Sequence, residues 1–169
     1  FKLIKDNLPD FLHSEDDVFV LAWTTTPWTL PSNTALTVGP KINYSLIKSF
    51  NQYTGLKADY IVADELISKQ FAGNYFEVND LKEIKNYEFD AKSIPYYKKS
   101  TFKGKDLENI KYEQLLDYAT PFSNPENAFR IIIGDFVTTS DGTGIVHTAP
   151  TFGADDAIVA KAANPPVPP

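Results

Sequence analysis

Short apolar and β-branched runs separated by turn residues recur along the chain, and they constrain its fold more than any other feature. Each run has the length of a strand rather than of a helix. Turn chemistry lies between the runs, as at Gly39-Pro40 and Asp141-Gly142. The pattern predicts strands at residues 18–23, 34–38, 44–50, 60–63, 129–133, 136–139 and 144–148.

Helical periodicity is sparse. It predicts helices over residues 64–71 and 153–164, the second with acids in its first turn and a proline after its end. Residues 112–118 are a further short candidate. Without repeats, heptads or βαβ alternation, this predicts an α+β fold, mostly β and barrel-like, with a few short peripheral helices. We expect one domain over residues 1–163 and a mobile Pro-rich tail over 164–169.

Composition excludes several classes of protein. The chain has 169 residues, which suits one domain, and no apolar run long enough to predict a membrane span. The absence of cysteine excludes a disulfide framework, a thiol nucleophile and a cysteine zinc site, and it fits a cytoplasmic protein. A net charge of -6 and a single arginine argue against a surface that reads bases. The chain also lacks methionine, and we interpret it as a piece of a longer protein.

The segment LAWTTTPWTLPSN, residues 21–33, ends the first predicted strand with four threonines and two prolines. A Thr-Pro turn breaks the alternation of side chains along a strand, so several hydroxyls can converge on one concavity. Pro27 suits the first turn of a helix, with Thr26 as its N-cap. Threonines at a strand end are usually β-formers and caps, so this segment alone favours a structural role.

The segment DGTGIVHTAPTFGADDA, residues 141–157, predicts a turn, a strand, a loop and a helix that opens with Asp155 and Asp156. It contains His147, one of two histidines in the chain. A histidine in a strand is usually a hydrogen-bonded core residue, and acids at a helix start complement the helix dipole. Here a short loop brings both features together, and a carboxylate in a pocket would suit a substrate ammonium group.

Together, the two segments resemble the editing domain (connective peptide 1) inserted in isoleucyl-tRNA synthetases, which are class I aminoacyl-tRNA synthetases. The form TPWTLP at residues 26–31 favours the isoleucyl type. The related valyl and leucyl enzymes carry arginine at the position of Thr26 and an acid at that of Trp28. The ending GADD resembles the branch that includes eukaryotic enzymes and some bacteria.

The resemblance implies a pocket that receives the terminal adenosine of tRNA carrying a wrong amino acid. Its implied reaction is proofreading hydrolysis of valine from tRNA(Ile), with valyl-adenylate as a further substrate left open. The ATP-dependent synthetic site is absent from this sequence. Because the ester is already activated, a positioned water and stabilisation of the oxyanion suffice, so we expect no metal and no cofactor.

The match to the family also implies roles for individual residues. Asp156 would hold the α-ammonium group, while His147 would orient the ribose and crowd the side-chain pocket. The implied catalytic group is Thr24, Thr25, Thr26, His147 and Asp156, and the substrate-binding group is Trp28, Thr29 and Asn33. The separate roles of the three threonines stay open. The implied partners are the 3′ end of aminoacylated tRNA, its valyl moiety and the rest of the synthetase, in a monomer that makes no membrane contact.

Two other interpretations stay open at the level of sequence. One is a non-catalytic tRNA-binding β-barrel module, which the low arginine count and the net acidity disfavour. The other is a structural interaction module in which both segments are only turns and caps. A serine- or cysteine-type hydrolase fits less well, because the chain has no cysteine and no Gly-x-Ser-x-Gly elbow.

Overall fold

The structure is a computed structural model that describes residues 1–169, with eight strands and three α-helices. The strands are β1 (Val18–Val20), β2 (Ala35–Val38), β3 (Asn43–Phe50), β4 (Lys57–Ala63), β5 (Tyr75–Glu77), β6 (Ile94–Lys103), β7 (Arg130–Ile133) and β8 (Ile145–Thr148). The helices are α1 (Ile67–Gln70), α2 (Leu81–Lys85) and α3 (Ala154–Ala162). Five short 3-10 helices lie at Asp10–Leu12, Pro27–Ser32, Asp64–Leu66, Gly104–Leu107 and Pro125–Asn127.

The strands form two sheets. The larger has the order β1-β4-β3-β6-β5, and the smaller has the order β7-β2-β8. In the smaller sheet, β2 runs parallel to β7 and antiparallel to β8. All four residues of β2 are buried, Thr37 included, so buried and exposed residues do not alternate along this strand.

Backbone hydrogen bonds join the β1 edge of the larger sheet to both edges of the smaller sheet. On one side, residues 1–3 pair with β1 and with residues 111–113. Residues 111–113 pair in turn with β7. On the other side, the Trp23 N–H donates to the Ile145 carbonyl over 3.2 Å. The arrangement is mostly β with few helices, so the predicted α+β, barrel-like fold class is confirmed.

Tyr44 connects the large sheet to the start of β8. It is fully buried, and burial raises its pKa to about 12. Its hydroxyl donates to the Gly144 carbonyl over 2.6 Å and accepts from the Gly39 N–H over 2.9 Å. The start of the strand that carries His147 is therefore tied to the core at a defined point.

The predicted elements are largely present. The predicted helix at 64–71 is found as a 3-10 turn followed by α1, and the helix at 153–164 is α3. Two predictions were wrong: residues 136–139 form no strand, and residues 112–118 form no helix. Tyr112 is instead bridged to Leu3 as an extended residue, and its ring is buried. The pattern also missed β5, α2 and the ten-residue β6.

Strand β6 escaped prediction because its lysines look like surface residues in sequence. In the fold, Lys99 Nζ lies 2.7 Å from Asp59 Oδ2, and Asp59 has no exposed surface. Lys98 Nζ lies 2.8 Å from a carboxylate oxygen of Asp64. Acids on β4, which lies one strand beyond β3 in the same sheet, and on the turn after β4 thus pair with the lysines of β6 and allow this polar segment to lie inside the sheet.

The C-terminal residues pack against α3 and the small sheet. Val167 is buried, and its N–H donates to the Ala160 carbonyl over 2.9 Å. The Arg130 guanidinium donates to the Pro165 carbonyl. These contacts do not favour the mobile tail expected at 164–169, and its mobility stays a prediction. No helix has the length and apolar character needed to cross a membrane.

Candidate functional site

The threonine segment folds into a compact turn directly after β1. The Oγ1 of Thr24 accepts from the Thr26 N–H over 3.0 Å, and this bond replaces strand pairing at the bend. Thr26 precedes the 3-10 helix Pro27–Ser32 in the N-cap position, but its side chain makes no cap hydrogen bond. Within the helix, the Thr29 hydroxyl donates to the Thr26 carbonyl over 2.8 Å. The Thr26 hydroxyl oxygen thereby lies 3.3 Å from that of Thr24 and 3.3 Å from that of Thr29.

His147 on β8 joins this turn to the second motif. Its Nε2 lies 2.9 Å from Thr29 Oγ1, across 118 residues of sequence, and its Nδ1 lies 2.8 Å from Asn33 Nδ2. All three side chains are buried, with exposed fractions of 7% for Thr29, 5% for Asn33 and 6% for His147. The pairing of β2 with β8 causes this contact, because Asn33 lies just before β2 and His147 faces Leu36 in that ladder.

A cavity of about 270 Å³ lies beside the ring of His147. Thr24 and His147 supply its polar groups, and the rest of the wall is apolar. An apolar cavity with a few placed polar groups is the usual composition of a small-ligand site, and this volume is small for one. The lining residues are Phe1, Val20, Leu21, Ala22, Trp23, Thr24, Leu30, Leu115 and His147.

Asp156 lies in the first turn of α3, next to the loop that follows His147. Its Oδ2 accepts from the Ala149 N–H over 2.9 Å, which ties the loop to the helix. Asp155 is exposed, and its side chain makes neither a hydrogen bond nor an ion pair within the protein. Asp156 is therefore the carboxylate that the fold brings toward His147, although it does not itself line the cavity.

Burial lowers the pKa of His147 below the ordinary value of 6.5, and the negative charge of Asp156 offsets part of this effect. The ring is therefore neutral at neutral pH. In the unfolded chain the same ring binds a proton at higher pH than in the folded protein. The free energy of unfolding should thus lose the contribution of His147 as the pH falls from 6.5 through the folded pKa.

We expect the His147 ring to titrate below pH 6.5 in an NMR titration of the protein. With only two histidines, its signals are readily assigned against a His13→Gln variant. In urea unfolding, the loss of stability below pH 6.5 should persist in His13→Gln and shrink in His147→Asn. A His147 ring that titrates at or above 6.5 would contradict this expectation.

Other residues predicted for the site lie further from the cavity. Thr25 is exposed and makes no side-chain hydrogen bond, and Trp28 has 75% of its surface exposed. The structure thus brings together Thr24, Thr26, Thr29, Asn33 and His147, and places Thr25 and Trp28 outside. Their roles stay predictions. No group of three or more histidine and carboxylate side chains is placed to hold a metal ion.

Sequence reasoning missed Tyr112. Its hydroxyl donates to Asn33 Oδ1 over 2.6 Å across 79 residues, and 1% of its surface is exposed. Burial raises the pKa of Tyr112 well above 10, against a smaller opposing effect of the Asn33 hydrogen bond. No local pattern marks this tyrosine among the nine of the chain, because its partner is set only by the tertiary fold.

Known proteins resemble the chain over most of its length. It is 52% identical to the isoleucine–tRNA ligase of Bacteroides fragilis over 149 residues, which cover 88% of the chain. It is 49% identical to that of Porphyromonas gingivalis over 166 residues, or 96% of the chain. The chain belongs to the isoleucyl-tRNA synthetase family. The family resemblance inferred from the two motifs is thereby confirmed.

The chain spans 12% and 14% of the length of these two isoleucyl-tRNA synthetases. Its fold is similar to that of the editing domain of the Plasmodium falciparum cytosolic leucyl-tRNA synthetase. That match has a TM-score of 0.61 at 15% identity, and it covers 92% of the chain and 50% of the solved domain. No protein-family model matches the chain.

Proposed function

We propose that the chain is the editing site of an isoleucyl-tRNA synthetase and hydrolyses the ester that links valine to the 3′ end of tRNA(Ile). The observation that carries this proposal is the buried contact of Thr29 and Asn33 with His147. It joins the two motif segments at the wall of a small apolar cavity in a member of this family. A module made only of turns and caps would need no such cavity.

A second site is required because the two amino acids are too similar. Valine lacks one methylene of isoleucine, which is worth only about 1–3 kcal/mol in a hydrophobic pocket, a range that includes the case of isoleucyl-tRNA synthetases themselves. A pocket that admits valine and excludes isoleucine by size would remove the wrong product. The cavity beside His147 has apolar walls that suit a branched aliphatic side chain.

The chemistry needs positioning rather than a covalent nucleophile. Water attacks the ester carbonyl, an oxyanion forms, the bond to the ribose oxygen breaks, and a proton passes to that oxygen. Thr24 lines the cavity and can hydrogen-bond the water or the oxyanion. Asp156 has one oxygen, Oδ1, free of hydrogen bonds, and this oxygen would hold the α-ammonium group. Both ring nitrogens of His147 already have partners, so the ring serves as a wall rather than as a base.

The proposed partners follow from this reaction. They are the 3′ end of aminoacylated tRNA and the rest of a cytoplasmic, monomeric synthetase. The chain itself has a net charge of -6, so most of the affinity for the tRNA polyanion would come from other parts of the enzyme.

The test is hydrolysis of valyl-tRNA(Ile) and isoleucyl-tRNA(Ile) by a synthetase that contains this chain. We expect rapid release of valine and slow release of isoleucine. Thr24→Val, which removes the cavity hydroxyl at nearly constant shape, should lower the rate of valine release, whereas the exposed Thr25→Val should matter less. Tight tRNA binding without any release of valine would favour the non-catalytic tRNA-binding module instead.

A further inference from the structure

The hydrogen bonds around Asn33 have only one consistent direction. Asn33 Nδ2 lies 2.9 Å from the Ala35 carbonyl, which can only accept, so the amide nitrogen must face it. This orientation turns Oδ1 toward Tyr112, whose hydroxyl donates to it over 2.6 Å. The side chain of Asn33 is therefore held at both ends.

The orientation of Asn33 determines the proton position on His147. The amide nitrogen can only donate, so Nδ1 of the ring, 2.8 Å away, must accept and carries no proton. The neutral ring then has its proton on Nε2 and donates it to Thr29 Oγ1 over 2.9 Å. The Thr29 proton goes in turn to the Thr26 carbonyl. The series of donors runs in one direction from Tyr112 to the threonine turn.

We infer that Tyr112 and Asn33 are positioning residues that fix His147 as its Nε2–H tautomer and hold its ring rigidly at the cavity wall. The inference rests on the proposed function and deepens it. Tyr112 does not line the cavity, so its effect passes through Asn33 and the ring. A ring held at both nitrogens cannot rotate without breaking a buried hydrogen bond, which makes the wall rigid enough to distinguish side chains that differ by one methylene.

Two isosteric variants test this inference. Asn33→Asp replaces the donor toward Nδ1 by an acceptor, so a proton should move to Nδ1. Tyr112→Phe removes only the hydroxyl and keeps the edge contacts of the ring with Phe1 and Phe129. Tyr118→Phe is the matched control, because Tyr118 is 78% exposed and its hydroxyl has no partner.

The tautomer is measured by long-range proton–nitrogen NMR of the histidine rings, with His13 as the internal reference. We expect Nε2–H alone in the wild type and in Tyr118→Phe. Protonation at Nδ1 is expected in Asn33→Asp, and a mixture of forms in Tyr112→Phe. If the wild-type ring carries its proton on Nδ1, the inference is overturned. This measurement needs no variant, so the inference can be tested even if Asn33→Asp does not fold.

Hydrolysis supplies the second readout. In the synthetase, Asn33→Asp and Tyr112→Phe should lower the preference for valyl- over isoleucyl-tRNA by about 2- to 10-fold, the range expected for one hydrogen bond. Rapid, selective hydrolysis by both variants would overturn this inference and leave the proposed function intact. A wild-type enzyme that releases no valine would overturn both.

Discussion

Asp156→Asn is expected to slow the release of valine from valyl-tRNA(Ile) by about 30-fold or more, with little change in melting temperature. The substitution removes the negative charge that would pair with the α-ammonium group. Losing one partner of a desolvated charge pair costs about 2–5 kcal/mol, and each 1.4 kcal/mol is a factor of ten. Asparagine keeps an oxygen that can accept from the Ala149 N–H, so the tie between loop and helix persists.

The matched control is Asp155→Asn. Asp155 precedes Asp156 in the same helical turn, and its side chain is exposed and has no partner. Asp155→Asn therefore removes the same negative charge from the helix N-terminus as Asp156→Asn does, but leaves the site unchanged. Rates for both variants should be compared with the wild type under single-turnover conditions, alongside thermal unfolding. If Asp155→Asn is the slow variant, the ammonium anchor must be reassigned to Asp155. Asp156→Ala is less informative, since it also removes the Ala149 hydrogen bond.

His147→Ala and Thr29→Ala are expected to admit isoleucine and so to raise the hydrolysis of correctly charged isoleucyl-tRNA by about 5- to 150-fold. Isoleucine gains more burial than valine in any apolar cavity, so attraction cannot reject it. Rejection must be steric, and overpacking costs about 1–3 kcal/mol. His147 lines the cavity. Thr29 does not line it, but its Oγ1 lies 2.9 Å from His147 Nε2 and holds the ring in place through this hydrogen bond.

The larger effect on selectivity should come from His147→Ala, because it removes the ring that lines the cavity, whereas Thr29→Ala removes only the hydrogen bond that holds this ring. Thr29→Ser is the matched control, because it keeps the hydroxyl that holds the ring and removes only a methyl group. Deacylation of isoleucyl- and valyl-tRNA should be measured side by side for all three variants. If both alanine variants keep the wild-type preference, the wall lies elsewhere and this assignment is wrong.

Prediction from sequence succeeded where an element is defined by its own residues. The apolar runs of β2, β7 and β8 appear in the fold within one residue of their predicted bounds. The acids and terminal proline of α3 marked a helix correctly. It failed at β6, because Lys98 and Lys99 are compatible with a sheet only through acids on other elements. It failed likewise at residues 112–118, where long-range pairing overrides a weak local preference.

For the candidate site, the sequence by itself determined which chemical groups are present: the threonine-rich turn, one histidine on a strand and a carboxylate at a helix start. Those groups lie in short contiguous motifs, and they were enough to indicate the family. Only the tertiary structure decided that Thr29 and Asn33 flank His147, that Tyr112 orders their hydrogen bonds, and that Trp28 lies outside the cavity. These contacts join residues 79 to 118 positions apart. They form only because the free energy gained when the two sheets pack exceeds the entropic cost of closing the intervening chain, and no local sequence pattern encodes that difference.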